Sequence, residues 1–76
     1  MVPIKELLNK IKWDKKENKK DYEIGYWDRI MGKEIRINYG EIESFDDEFF
    51  KLTHTQIPLH RIRRVYKKGK LVWERR

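Results

Sequence analysis

The spacing of hydrophobic positions changes at Asp21, and that change predicts where helix gives way to sheet. Upstream, Ile4, Leu7, Leu8 and Ile11 recur at i, i+3, i+4 and i+7, one face of a 3.6-residue helix. Pro3 stands in the first turn, where its missing N–H costs nothing, so a helix is predicted over about residues 3–12 with its apolar stripe against a sheet. Residues 14–20 (DKKENKK) contain nothing to bury and predict a charged, mobile loop. Downstream the period falls to two. Tyr22, Ile24, Tyr26 and Asp28 share one side of a strand, and Glu23, Gly25, Trp27 and Arg29 the other. Gly25 has no side chain to pack and is expected at a bulge or where another backbone approaches. Met31-Gly32-Lys33 turns the chain into a second alternating strand, residues 34–39, with Ile35, Ile37 and Tyr39 inward and antiparallel pairing to the first.

The acidic stretch 41–48 surrounds Ile42 and Phe45, and Phe49-Phe50-Lys51-Leu52 is a third short apolar run. Residues 58–61 are expected to make a single helical turn before a basic β-hairpin built around Lys67-Lys68-Gly69-Lys70. A two-residue loop at Lys68-Gly69 needs Lys68 at positive φ. A type I turn at Lys67-Lys68 with Gly69 left-handed leaves that dihedral to glycine alone, and is the expected form. It groups Val65, Leu71 and Trp73 with Arg61 and Arg63, and sets Ile62, Tyr66 and Val72 on the other face with Arg64, Lys70 and Glu74. The predicted architecture is a single α+β domain over 1–76: an N-terminal helix packed on a small, mainly antiparallel sheet that occupies residues 22–75 and ends in the hairpin.

A chain of 76 residues buries only about 60% of its unfolded surface, so the core must be compact, and three Trp, four Tyr and three Phe supply its bulk. Without cysteine there is neither a disulfide nor thiolate chemistry, which suits a reducing compartment. No run approaches the ~18 apolar residues of a membrane span, so a cytoplasmic protein is expected. The net charge of +6 is unevenly spread: +4 over residues 1–20, −1 over 21–40, −5 over 41–50 and +8 over 51–76. A basic end of this kind favours a polyanionic partner, and the arginines at 61–64 carry planar forks suited to phosphate.

Candidate catalytic chemistry is sparse. His54 and His60 have the pKa range for phosphodiester acid–base work, but neither sits in the His-x-Thr/Ser repeat of two-histidine phosphoesterases. There is no glycine-rich phosphate loop, and no metal-ligand spacing, so no metal or cofactor is expected. Asp28-Arg29 reads as a turn contact or ion pair unless the fold brings it near His60 and Arg61. Trp13, Trp27 and Trp73 are core candidates, with base stacking as the alternative.

Several runs together carry a resemblance: Leu8 through Trp13-Asp14, Asp21-Tyr22-Glu23-Ile24-x-Tyr26-x-Asp28-Arg29, Phe49-Phe50-x-Leu52, Ile57-Pro58-x-His60-Arg61-Ile62, and Gly69-x-x-Val72-Trp73-Glu74-Arg75. The chain resembles a family of small, mostly archaeal uncharacterised proteins also called the RNA cyclic-group-end recognition domain. Thr53-His54-Thr55 departs from it, a glycine turn being usual there. The resemblance implies a non-catalytic module that recognises RNA ends bearing a cyclic phosphate or similar group, beside RNA-processing or repair enzymes. On that basis Arg61, Arg63, Arg64 and Lys67 are expected to contact phosphates, His60 and Arg29 to hold a terminal phosphate, Asp28 to orient an arginine or accept from a ribose hydroxyl, and Tyr26 or Trp73 to stack on the terminal base. The rival readings are a protein-interaction adaptor and a small phosphodiesterase using His54 and His60.

Overall fold

The structure, a computed structural model, describes residues 3–75. Helix α1 spans Ile4–Trp13 with Pro3 as its N-cap, Glu6 in the first turn and Lys10 and Lys12 in the last, signs that complement the helix dipole. Its stripe of Ile4, Leu8 and Ile11 is buried as the spacing predicts. Strands β1 (Tyr22–Asp28), β2 (Lys33–Asn38), β6 (Ile62–Lys67) and β7 (Lys70–Glu74) form one antiparallel sheet in the order β2-β1-β6-β7. Ile24, Ile62, Val65 and Trp73 on its inner face join the helix stripe and Phe50, Ile57 and Leu59 in the core. An α+β fold with a C-terminal strand pair is therefore present.

The apolar run at Phe49 does not extend that sheet. It forms a second one, with β3 (Ser44–Phe45), β4 (Phe49–Lys51) and β5 (Gln56–Pro58) in sequential antiparallel order. Strands this short could not be assigned to a separate sheet by alternation alone. The expected helical turn is present as a 3-10 turn, Leu59–Arg61, joining β5 to β6. A second 3-10 turn, Tyr39–Glu41, is locked by a capping box in which the Asn38 side chain accepts from Gly40 N and Glu41 Oε2 accepts from Asn38 N. It buries Tyr39, whose hydroxyl donates to Leu8 O at 2.8 Å and ties the helix to the sheet.

The hairpin differs from expectation. Lys68 has φ 51° and Gly69 φ 82°, with Lys67 opposite Lys70, so the loop is the two-residue form. Lys68 N also donates to Asp21 O at 2.8 Å, a tertiary bond that helps hold the less favoured dihedral. Two irregularities then rearrange the predicted faces. Between β1 and β6 the pairing jumps from Gly25–Arg64 to Tyr26–Ile62, leaving Arg63 extra, and between β6 and β7 it jumps from Tyr66–Leu71 to Val65–Trp73, leaving Val72 extra. Each extra residue inverts the alternation beyond it. Ile62 consequently joins Val65 and Trp73 inside, whereas Leu71 and Val72 are half exposed.

Candidate nucleic-acid interface

The C-terminal end of β1 and the passage from β5 into β6 face each other across a gap between the two sheets. Tyr26, Asp28, Arg29 and Arg61 line it with Thr55, Gln56, Ile57 and Pro58, enclosing a cleft of about 220 Å³. Asp28-Arg29 thus lies on the same cleft as Arg61, whereas His60 is not among its walls. Neither Arg29 nor Arg61 forms an ion pair among the described residues. Asp28 acts first as a turn residue: its Oδ1 accepts from Ile30 N at 2.8 Å and Met31 N at 3.0 Å, fixing the loop that carries Arg29. Tyr26 packs edge-on against Phe50, and burial, then the charges of Asp28 and Glu41, raises its phenol pKa, so it enters the cleft as a neutral hydroxyl.

The other sequence candidates lie apart from this cleft. His60 is exposed on the 3-10 turn and does not line it. Arg63, at the bulge, stacks over Trp27 on the opposite sheet face at 4.7 Å. Arg64 meets Glu74 at 2.8 Å and Glu34 at 3.1 Å, and its guanidinium pKa is raised first by the Glu74 hydrogen bond and next by the Glu34 charge. Lys67 meets Glu17 at 3.0 Å, which raises the lysine and lowers the carboxylate. These two cations are already paired with internal carboxylates. Trp73 is only 7% exposed, inside the core, so the expected choice between Tyr26 and Trp73 as a base platform leaves Tyr26. A strand position opposite Val65 puts its indole there.

The family model of the MJ1316 RNA cyclic group end recognition domain matches residues 1–75. The chain belongs to this family. Among its relatives, a UPF0248 protein of Thermococcus gammatolerans is 47% identical over 75 residues, covering 96% of this chain and 89% of that one. A UPF0248 protein of Thermococcus onnurineus is 42% identical over 81 residues, with 96% and 85% covered. A more distant one from Saccharolobus islandicus is 32% identical over 80 residues, with 97% and 100% covered. No solved structure matches the chain.

Two features of the site are not legible in the spacing of the sequence. Arg75 Nε donates to Ile62 O at 2.9 Å, its second nitrogen donates to Leu59 O at 3.1 Å, and its backbone N–H bonds Arg63 O at 2.8 Å. It clamps both ends of the turn that presents His60 and Arg61. The Trp73-Glu74-Arg75 motif was the available signal, but nothing in its spacing says where the guanidinium reaches. Thr55, Gln56 and Pro58 were likewise missed as cleft walls, because only the three-stranded sheet brings them opposite β1.

Proposed function

We propose that the protein is a non-catalytic RNA-binding module that holds a modified RNA terminus, such as a cyclic phosphate, in the cleft between Arg29 and Arg61, acting in RNA processing or repair. The observation that carries this reading is the pair of guanidinium-bearing side chains on the walls of one cleft, neither engaged by a carboxylate among the described residues. Arginine offers forked donors to phosphate oxygens, and Thr55 and Gln56 add neutral polar groups suited to a ribose. Asp28 holds the loop of Arg29 and accepts from a ribose hydroxyl, and Tyr26 contacts the terminal base. The phosphodiesterase reading gains no support, since neither His54 nor His60 lines the cleft.

The test is titration against paired single-stranded RNAs that differ only in a cyclic-phosphate or a plain hydroxyl 3′ end. The wild type should prefer the cyclic end. Arg61→Ala should weaken binding to it by about 1.5–3 kcal/mol, the range for a hydrogen bond to a charged group. His60→Ala should leave the preference between ends close to wild type, since its side chain lies outside the cleft. Equal wild-type affinity for both ends would defeat end recognition.

A further inference from the structure

Trp13 is 72% exposed at the end of α1, an unusual position for an indole in a chain with little apolar surface to spare. Lys12 Nζ lies 5.3 Å from the Trp13 ring centroid and 5.6 Å from that of Phe45. Lys12, Lys15, Lys16, Lys19 and Lys20 form no ion pair among the described residues. The acids of the same segment are occupied. Asp14 Oδ1 accepts from Lys16 N at 2.9 Å, and Glu17 is bonded by Lys67 and Tyr22. An aromatic platform thus stands among lysines that outnumber the nearby carboxylates of Asp14 and Glu43.

Two hollows that share wall residues lie between Lys12 and the cleft. A hollow of about 60 Å³ with Lys12, Lys19, Glu43 and Phe45 on its walls shares Ser44 and Phe45 with a depression of about 130 Å³. That depression reaches Gln56, which is a cleft wall. The cross-strand row Phe45–Phe50–Ile57 measures the separation as two strand spacings, roughly 10 Å. Lys51 and Asp46 both line this depression. Lys12, Lys19 and Lys51 outnumber Glu43 and Asp46 on these walls, and lysines beside a stacking ring fit a single-stranded polyanion with bases to stack.

We propose that the groove from Gln56 across the three-stranded sheet to Lys12 and Trp13 binds the single-stranded RNA body adjoining the terminus, with a base on Trp13 and phosphates on Lys12 and Lys19. This rests on the end-recognition reading above. The experiment compares a dinucleotide and an octanucleotide that share a cyclic-phosphate end, with a hydroxyl-ended octanucleotide as a third ligand. Trp13→Ala removes a mostly exposed ring, so the fold is retained, and circular dichroism checks this. It should weaken octanucleotide binding roughly five- to a hundredfold, the range for one lost base stack, and leave the dinucleotide unchanged. Lys12→Ala combined with Lys19→Ala should flatten the octanucleotide's log–log salt slope by roughly 1.4. Unchanged octanucleotide affinity in Trp13→Ala, or an equal loss for both lengths, overturns the groove and leaves the cleft standing. Wild-type indifference to end chemistry with the Trp13 loss intact sustains the groove and sinks end recognition. No wild-type binding to any of the three overturns both.

Discussion

Arg63 and Arg64 are neighbours in sequence, yet their side chains meet opposite surroundings. Arg64 is held by Glu74 and Glu34, and Glu34 in turn accepts from the Tyr66 hydroxyl at 3.0 Å. Gly25 makes that network possible, since a Cβ there would lie 2.8 Å from Glu34 Cδ. The close approach expected at Gly25 is thus by a carboxylate rather than a backbone, and the expected bulge is beside it. Among the described residues, Arg63 contacts an indole and no carboxylate. Nothing in the dipeptide distinguishes the two arginines, and the sequence reading assigned both to phosphate. The extra residue in β6 separates them. Arg63→Ala should lower affinity for every RNA and flatten the salt slope by roughly 0.7, one phosphate contact, whereas Arg64→Ala should leave RNA affinity close to wild type. Filter binding at two salt concentrations decides it, and matching losses for both variants would refute the distinction.

Among the elements, those with strong periodicity were legible and those set by distant pairing were not. α1 and β1 follow apolar stripes that only one secondary structure can bury. The three-stranded sheet, the two-residue hairpin loop and the irregular pairings depend on partners far along the chain, and alternation carries no information about them. Tyr39, expected inward, shows a further consequence of element packing. Burial pushes its phenol pKa up to about 12 from an ordinary value of 10.0. A raised folded-state pKa contributes stability fully present below the unfolded value and lost as pH rises through the folded one. The window is therefore about pH 10 to 12, and the loss is on the order of 2 kcal/mol. Tyr39→Phe lacks the bond to Leu8 O and should be about 1 kcal/mol less stable near pH 8, with the order reversed near pH 12. Urea unfolding of both proteins across that range checks the crossover, and a constant difference would exclude it.

At the scale of the whole molecule, the 19 basic side chains overstate what a polyanion meets. Lys5, Arg36, Arg64, Lys67 and Lys68 each lie within 4.0 Å of an internal carboxylate. Among the other described cations, several fall in places the sequence separates widely: Arg29 and Arg61 at the cleft, Arg63 on the outer sheet face, and Lys12 and Lys19 on the hollow next to Phe45. Composition alone made the polyanion inference legible. Only the fold divides paired from unpaired charge, because a residue's counterion is set by tertiary register. That division fixes a number. Three contacts, from Arg29, Arg61 and Arg63, give a single-strand log–log salt slope of about −2, and adding Lys12 and Lys19 brings it to about −3.5. An octanucleotide should therefore show the steeper slope with the wild type and the shallower one when both lysines are replaced by alanine. Participation of all the basic side chains would instead drive the slope to roughly −13, so a wild-type value far beyond −3.5 would mean that RNA spreads over the surface without using the cleft and groove.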